Sequence, residues 1–175
     1  SYQDLARAAS VVENALHLGL KPKGTIIVNP GSQRIKETAE RDGLLDKLRE
    51  AGAIVMANAC GPCIGQWQRK TDDPLRRNSI VTSFNRNFAK RADGNPNTHA
   101  FIVSPEVAVA MAFTGEFKIH QGLDIRKMDE LPPRGFVESV EGFVPPVPGN
   151  PEPEIDPESA RIQRLKPFDA WNGKD

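Results

Sequence analysis

The sequence predicts a layered α/β fold built on a largely parallel sheet. Three observations predict it. Short β-branched runs (Thr25 to Val28, Ala53 to Met56, Ser79 to Thr82 and Ala100 to Val103) alternate with stretches of helical period. Helix caps and breakers stand between them at the expected places. Polar stretches rich in Cys, Asn and Arg follow the strands directly, and in parallel sheets ligands gather at the C-terminal strand ends.

The elements follow in order. Residues 3 to 18 form a predicted helix: Ser1 is an N-cap, and Leu5, Ala8, Ala9, Val12, Ala15 and Leu16 repeat with helical spacing. Gly19 and then Pro22 stop it. The first strand covers Thr25 to Val28. After the Asn29-Pro30-Gly31-Ser32 turn, a helix runs from Gln33 to Arg41 and a second from Leu44 to Ala51, broken at Asp42-Gly43. Ala53 to Met56 is the next strand, and the charged stretch from Gln68 to Arg77 is a surface loop. Strands at Ser79 to Thr82 and Ala100 to Val103 flank the Gly/Asn/Pro loop 92–98. Ser104-Pro105-Glu106 opens a last helix, with Ser as N-cap, Pro in its first turn and Glu against the helix dipole. Its apolar residues include Val107, Ala110, Met111 and Phe113, and Gly115 ends it.

This divides the chain into an α/β body over residues 1–115, a proline-rich tail or linker over 116–160, and a closing segment 161–175 that regains apolar anchors such as Ile162, Leu165, Phe168 and Trp171. The 23 basic and 23 acidic residues cancel, so no global field draws the chain to nucleic acid or an anionic membrane. No apolar run of about 18 residues exists to span a bilayer. Two cysteines do not make a disulfide framework and fit a reducing compartment. The chain opens on Ser1 with no Met and no signal-like segment, so the expectation is an interior piece of a longer polypeptide.

Both cysteines lie in Asn58-Ala59-Cys60-Gly61-Pro62-Cys63-Ile64-Gly65-Gln66-Trp67, just past a strand end. Gly61 and Pro62 force a tight turn that aims both thiols at one point. Two convergent sulfurs can bridge each other, ligate zinc, or ligate iron in a cluster. Structural zinc wants four Cys or His ligands, and His17, His99 and His120 do not sit at knuckle spacing. A thioredoxin-like redox pair leaves Asn58, Gln66 and Trp67 without a role. Asn85, Arg86 and Arg91 follow the third strand, with Phe88 between the arginines. If their turn faces the cysteine turn, the site pairs a metal centre with a carboxylate clamp. Lys36, Glu37, Glu40 and Arg41 are instead the wet face of a helix.

The cysteine stretch, Ser79 to Phe88, Asn95 to Phe101 and Ser104-Pro105-Glu106 together resemble mitochondrial-type aconitases. The first helix, the Asn29 to Ser32 turn and the terminal Lys166 to Asp175 resemble them too. The resemblance implies the third, cluster-bearing domain, a three-layer α/β/α arrangement, with 161–175 leading to a swivelling domain. It implies a [4Fe–4S] cluster held by three cysteines, two matching Cys60 and Cys63 and the third lying before Ser1. One iron without a protein ligand acts as a Lewis acid on citrate, cis-aconitate and isocitrate. Asn85 matches an active-site asparagine, and Arg86 and Arg91 match arginines that hold substrate carboxylates. The general base, a serine, lies beyond Asp175. Residues 116–159 match less well, being shorter and richer in proline. The family reading further implies a hydro-lyase of the tricarboxylic acid cycle, completed by the remaining aconitase domains. The full-length protein is then a monomer of the mitochondrial matrix or, alternatively, of a bacterial cytoplasm. The isolated chain is expected to be inactive and to hold a cluster poorly. The alternatives are a homoaconitase-type dehydratase, a zinc or thiol-redox module, or a non-catalytic interaction module.

Overall fold

A computed structural model describes residues 1–69, 73, 75–125, 131–138, 144–146 and 148–149. Contacts divide the chain into Ser1–Ser139 and Val140–Asp175, and the first unit carries every helix and strand described below. The segment 161–175, expected as a lead-in to another domain, lies outside the described residues.

Helix α1 spans Tyr2–His17 and begins with a capping box. Asp4 N donates to Ser1 Oγ (3.3 Å), and the Asp4 carboxylate accepts from the Ser1 nitrogen (2.8 Å). Its apolar face is broader than a single stripe: Tyr2, Ala6 and Val11 are buried along with Leu5, Ala8, Ala9, Val12 and Ala15. The reason is that α1 packs on α2 (Gln33–Arg41), α3 (Leu44–Glu50) and α4 (Pro105–Thr114) at once. Ser32 caps α2 by accepting from Ile35 N (3.2 Å). The break before α3 is made by Gly43, whose φ of +74° other residues adopt at a cost. Leu44, Leu45 and Leu48 then complete the core that α1 faces.

β1 and β2 are shorter than their β-branched runs, β3 and β4 are each a residue longer, and all the pairing is parallel. β1 (Ile27–Val28) pairs with β2 (Ile54–Val55), Ile27 opposite Ile54. β3 (Asn78–Thr82) pairs with β4 (Thr98–Ile102), Asn78 opposite Thr98. These are two separate ladders rather than the one sheet that the alternation predicts. A cavity of about 350 Å³ lies where they would join, lined by Ile27 and Val28 on one side, Ile80 and Val81 on the other, and Val109 and Ala112 of α4. Among the described residues no helix is long and apolar enough to cross a membrane.

The core does not stop at Gly115. Leu123 is buried in it, and Ile119 and Ile125 pack against it. Asp124 N donates to Asn14 Oδ1 (3.0 Å), and Val137 N donates to Thr38 Oγ1 (3.0 Å), on a threonine fully buried in α2. Phe136 meets Tyr2 edge-on (6.1 Å between ring centres). Asp42 is the polar centre of this closure. Its carboxylate accepts from Arg41 Nε and Nη2 (2.9 Å each), Tyr2 Oη (3.0 Å) and Arg134 Nη2 (3.1 Å). The bonds from Arg41 first, then those from Tyr2 and Arg134, outweigh its burial and hold its carboxyl at about 2, below the usual 3.8.

A carboxyl whose folded pKa is depressed stabilises the fold above its unfolded pKa and loses that contribution as pH falls through the folded one. Asp42→Asn is therefore expected to cost roughly 1–3 kcal/mol at neutral pH. In urea unfolding at a series of pH values, the gap to the native protein should hold down to about pH 4 and close toward about pH 2.

Candidate functional site

Two turns meet at the C-terminal ends of the strands. The first is the cysteine turn. Met56 N donates to Val28 O (2.9 Å), the last ladder bond, and the chain then leaves the sheet. Pro62–Ile64 make one 3₁₀ turn, with Pro at its first position and Gly65 ending it at φ +75°. Gln66 N closes the loop on Gly61 O (2.9 Å). Cys60 is exposed, Cys63 is half-buried, and both are free thiols. The Cys63 side chain, first as a hydrogen-bonding neighbour and then through its charge, pushes the Cys60 thiol above its ordinary value. The Gly61-Pro62 turn thus sets the two thiols close enough to influence one another.

The second turn follows β3 and carries Asn85, Arg86 and Arg91. Arg91 is the residue that joins the turns. It is buried although charged. Its Nε donates to Cys63 O (2.6 Å) and its Nη2 to Asn85 Oδ1 (3.0 Å). Its guanidinium carbon stands 5.8 Å from the Phe84 ring centre and 5.4 Å from that of Phe88, both within cation–π range. Cys63, Asn85 and Arg91 are thus one bonded unit. Arg86, next to Asn85, is exposed and makes no hydrogen bond or ion pair with the described residues.

Sequence reading missed two supports of this unit. Asp93, buried behind Arg91, accepts from Thr98 Oγ1 (2.7 Å) and from Asn95 N (3.1 Å), and Arg69 Nε lies 3.6 Å away. It pins the arginine turn to the start of β4. The Asp93-Gly94-Asn95-Pro96 string is the signal, because Asp and Asn side chains bond their own backbone two residues on. The other is Gly65, which lies against the backbone of Lys90 and Arg91. Among the described residues no group of three His, Cys, Asp or Glu side chains is placed to hold a metal ion. Cys60 and Cys63 are the two soft donors, and the 175 residues contain no third cysteine. Thiolates of this kind are the ligands that iron–sulfur clusters take, and the fit is of two donors.

Comparison with known proteins gives this arrangement a family. The model of the aconitase family (aconitate hydratase) matches residues 1–115. The chain belongs to the aconitase family. It is 47% identical to the mitochondrial aconitate hydratase of Gracilaria gracilis, an alignment covering 100% of this chain and 24% of that protein. It is 44% identical to the mitochondrial aconitate hydratase of Schizosaccharomyces pombe, with the same coverage. It is 46% identical to the mitochondrial homocitrate dehydratase of Saccharomyces cerevisiae, covering 100% of this chain and 25% of that protein. This aconitase-family chain thus spans about a quarter of the length of the curated relatives it matches.

If Arg91 ties the turns together, a lysine cannot replace it, because an ammonium lacks the fork that reaches Cys63 O and Asn85 Oδ1 together. Arg91→Lys is expected to lower stability by roughly 1.5–3 kcal/mol. It should also speed amide exchange at Ile64 to Gln66, measured by hydrogen exchange and mass spectrometry.

Proposed function

We propose that this chain is the cluster-bearing domain of a mitochondrial aconitate hydratase, which interconverts citrate and isocitrate through cis-aconitate. One observation carries the reading: a buried arginine joins the backbone of Cys63 to the side chain of Asn85, so that soft metal donors and carboxylate-binding groups share one site. Cys60 and Cys63 hold a [4Fe–4S] cluster, with a third thiolate supplied from outside these 175 residues. When bound, the cluster supplies a Lewis-acidic iron without a protein ligand.

The chain's own residues bind and orient the substrate. Arg91 has two of its five N–H groups committed to the protein, so both N–H groups of Nη1 and the second of Nη2 are left for a substrate carboxylate. Its bonds and flanking rings fix the guanidinium before substrate arrives, which is how a site limits the entropy lost on binding. Asn85 accepts from Arg91 through Oδ1, which leaves Nδ2 free to donate to a substrate oxygen. Arg86 keeps all five of its N–H donors for a second carboxylate and is the movable arm of the clamp. The proton acceptor of the dehydration comes from the remaining domains of a monomeric full-length protein. That protein works in the mitochondrial matrix, a reading supported by the relatives named as mitochondrial.

Citrate is the favoured substrate because the aconitase model and several relatives carry the hydratase name. The homocitrate dehydratase aligns over the whole chain at nearly the same identity. The residues of this domain therefore serve what the two reactions share, a hydroxyl flanked by carboxylates, and substrate length is read by other domains. The three-layer arrangement with one sheet belongs to the full-length protein. The cavity between β1 and β3 supports it, since both Asn29 Oδ1 and Thr82 Oγ1 are buried at its lining without a partner. One further strand pairing both edges would unite the four strands.

Anaerobic reconstitution with iron and sulfide, read by visible absorption and EPR, checks the cluster. The full-length protein is expected to hold it stably and the 175-residue chain weakly. Hydratase turnover by the 175 residues alone would overturn the assignment of the other groups to other domains. In the full-length enzyme, Cys60→Ser or Cys63→Ser should abolish the cluster spectrum. Arg86→Ala should keep that spectrum and lower kcat/KM for citrate roughly 10- to 100-fold. An unchanged kcat/KM would remove Arg86 from the clamp.

A further inference from the structure

We infer that Gly65 is a positioning residue: the absence of a side chain there sets how closely the cysteine turn and the Arg91 turn approach, and so where the Arg91 guanidinium stands relative to the thiols. The inference rests on the proposed function for its consequence but not for its geometry. A Cβ on Gly65 would stand 2.3 Å from Lys90 O, 3.0 Å from Arg91 O and 3.4 Å from Lys90 C. All three are backbone atoms, so no rotamer change relieves the collision.

The approach is reciprocal. Gly94 on the arginine turn has φ +71°, and a Cβ there would lie 3.1 Å from Gly65 O. Lys90, between them, is the single non-glycine residue with positive φ among the described residues (+66°). It holds a conformation that L-residues avoid. Its carbonyl accepts from Gly94 N (3.1 Å) and faces Gly65.

Neither turn can retreat freely. The arginine turn is fixed behind by the Asp93–Thr98 bond (2.7 Å); the cysteine turn is closed on itself by Gln66 N on Gly61 O (2.9 Å), and the chain leading into it is tied by Asn29 Nδ2 on Ala57 O (2.8 Å). A methyl at 65 must therefore separate the turns by about 1 Å to reach ordinary contact. The bond from Arg91 Nε to Cys63 O, at 2.6 Å, cannot survive such a shift unaltered. A displacement of about 1 Å between a positioning group and the reacting centre is enough for a roughly 10²-fold loss of rate.

The test uses the full-length holoenzyme with Gly65→Ala and Gly52→Ala. Gly52 has the same φ of +75° but nothing within 4 Å of its Cβ position, so it carries the backbone cost without the collision. Three readouts are compared: hydrogen exchange over 61–69 and 88–95, calorimetric binding of tricarballylate (a tricarboxylate without the hydroxyl), and kcat and KM for citrate. Gly65→Ala is expected to retain the cluster spectrum and to speed exchange in both segments. It should also weaken tricarballylate at least 10-fold and lower kcat/KM roughly 10²-fold. Gly52→Ala should change none of the three. Where Gly65→Ala does not fold, Gly94→Ala, with the milder contact, gives the same readouts at smaller size. Native exchange and tricarballylate affinity in the variant, or equal losses in the Gly52→Ala control, would overturn the inference. Native enzyme that binds no tricarballylate sinks the hydratase reading instead, and the exchange data still decide the role of Gly65.

Discussion

The site depends on one buried cation. Taking a guanidinium out of water is costly, and the cost is offset only when its N–H groups find acceptors. Arg91 finds Cys63 O and Asn85 Oδ1, and two aromatic rings lie within reach of its charge. Those partners come from two loops that follow different strands. Without the arginine, the loops belong to ladders that share no hydrogen bond among the described residues. The cysteine turn follows β2 in one ladder, and the arginine turn follows β3 in the other. The side chain therefore does at the strand ends what pairing does not do between the strands.

Helices were nearly legible residue by residue, because their ends carry local chemistry. Ser32 before Gln33, Gly43 before Leu44, and Ser104-Pro105 through Gly115 each mark a boundary the structure keeps within a residue or two. Strand positions were legible too, from β-branched runs. Their partners were not, since pairing is a long-range property and a two-residue strand carries no register signal. The closure by residues 116–125 and 131–138 was illegible for a related reason. It is made by single anchors far along the chain, Leu123 in the core, Asp124 on α1, Phe136 on Tyr2 and Val137 on Thr38, with no period to reveal them. Proline density reads as a tail, and here the Pro132-Pro133 segment leads into Arg134, which closes on Asp42.

At the site, the choice of Cys60, Cys63, Asn85, Arg86 and Arg91 came from residue chemistry and family likeness. Their division of labour came only from the structure. Sequence treats Arg86 and Arg91 alike, as two arginines around one phenylalanine. Folding separates them by burial: Arg91 is 9% exposed and bonded twice, and Arg86 is exposed and unbonded among the described residues. Glycines hide in the same way. Gly52 and Gly65 share a φ of +75°, yet only Gly65 has backbone against it.

That separation has an energetic meaning. An arginine ordered by folding has already lost its rotamer freedom when a ligand arrives, so more of its interaction energy remains for binding. An exposed arginine must be ordered by the ligand itself, and its charge is screened until then. In the proposed clamp, which has one arm of each kind, an anion is admitted through the exposed arm and registered against the fixed one. The fixed arm is also the one bonded to the cysteine turn, so a carboxylate held there is located with respect to the thiols by the fold, through the 2.6 Å bond from Arg91 to Cys63. The mobile arm can vary in reach without disturbing that register. Under the proposed function, this domain thereby keeps one carboxylate register for tricarboxylates of either length, and the length itself is read by other domains.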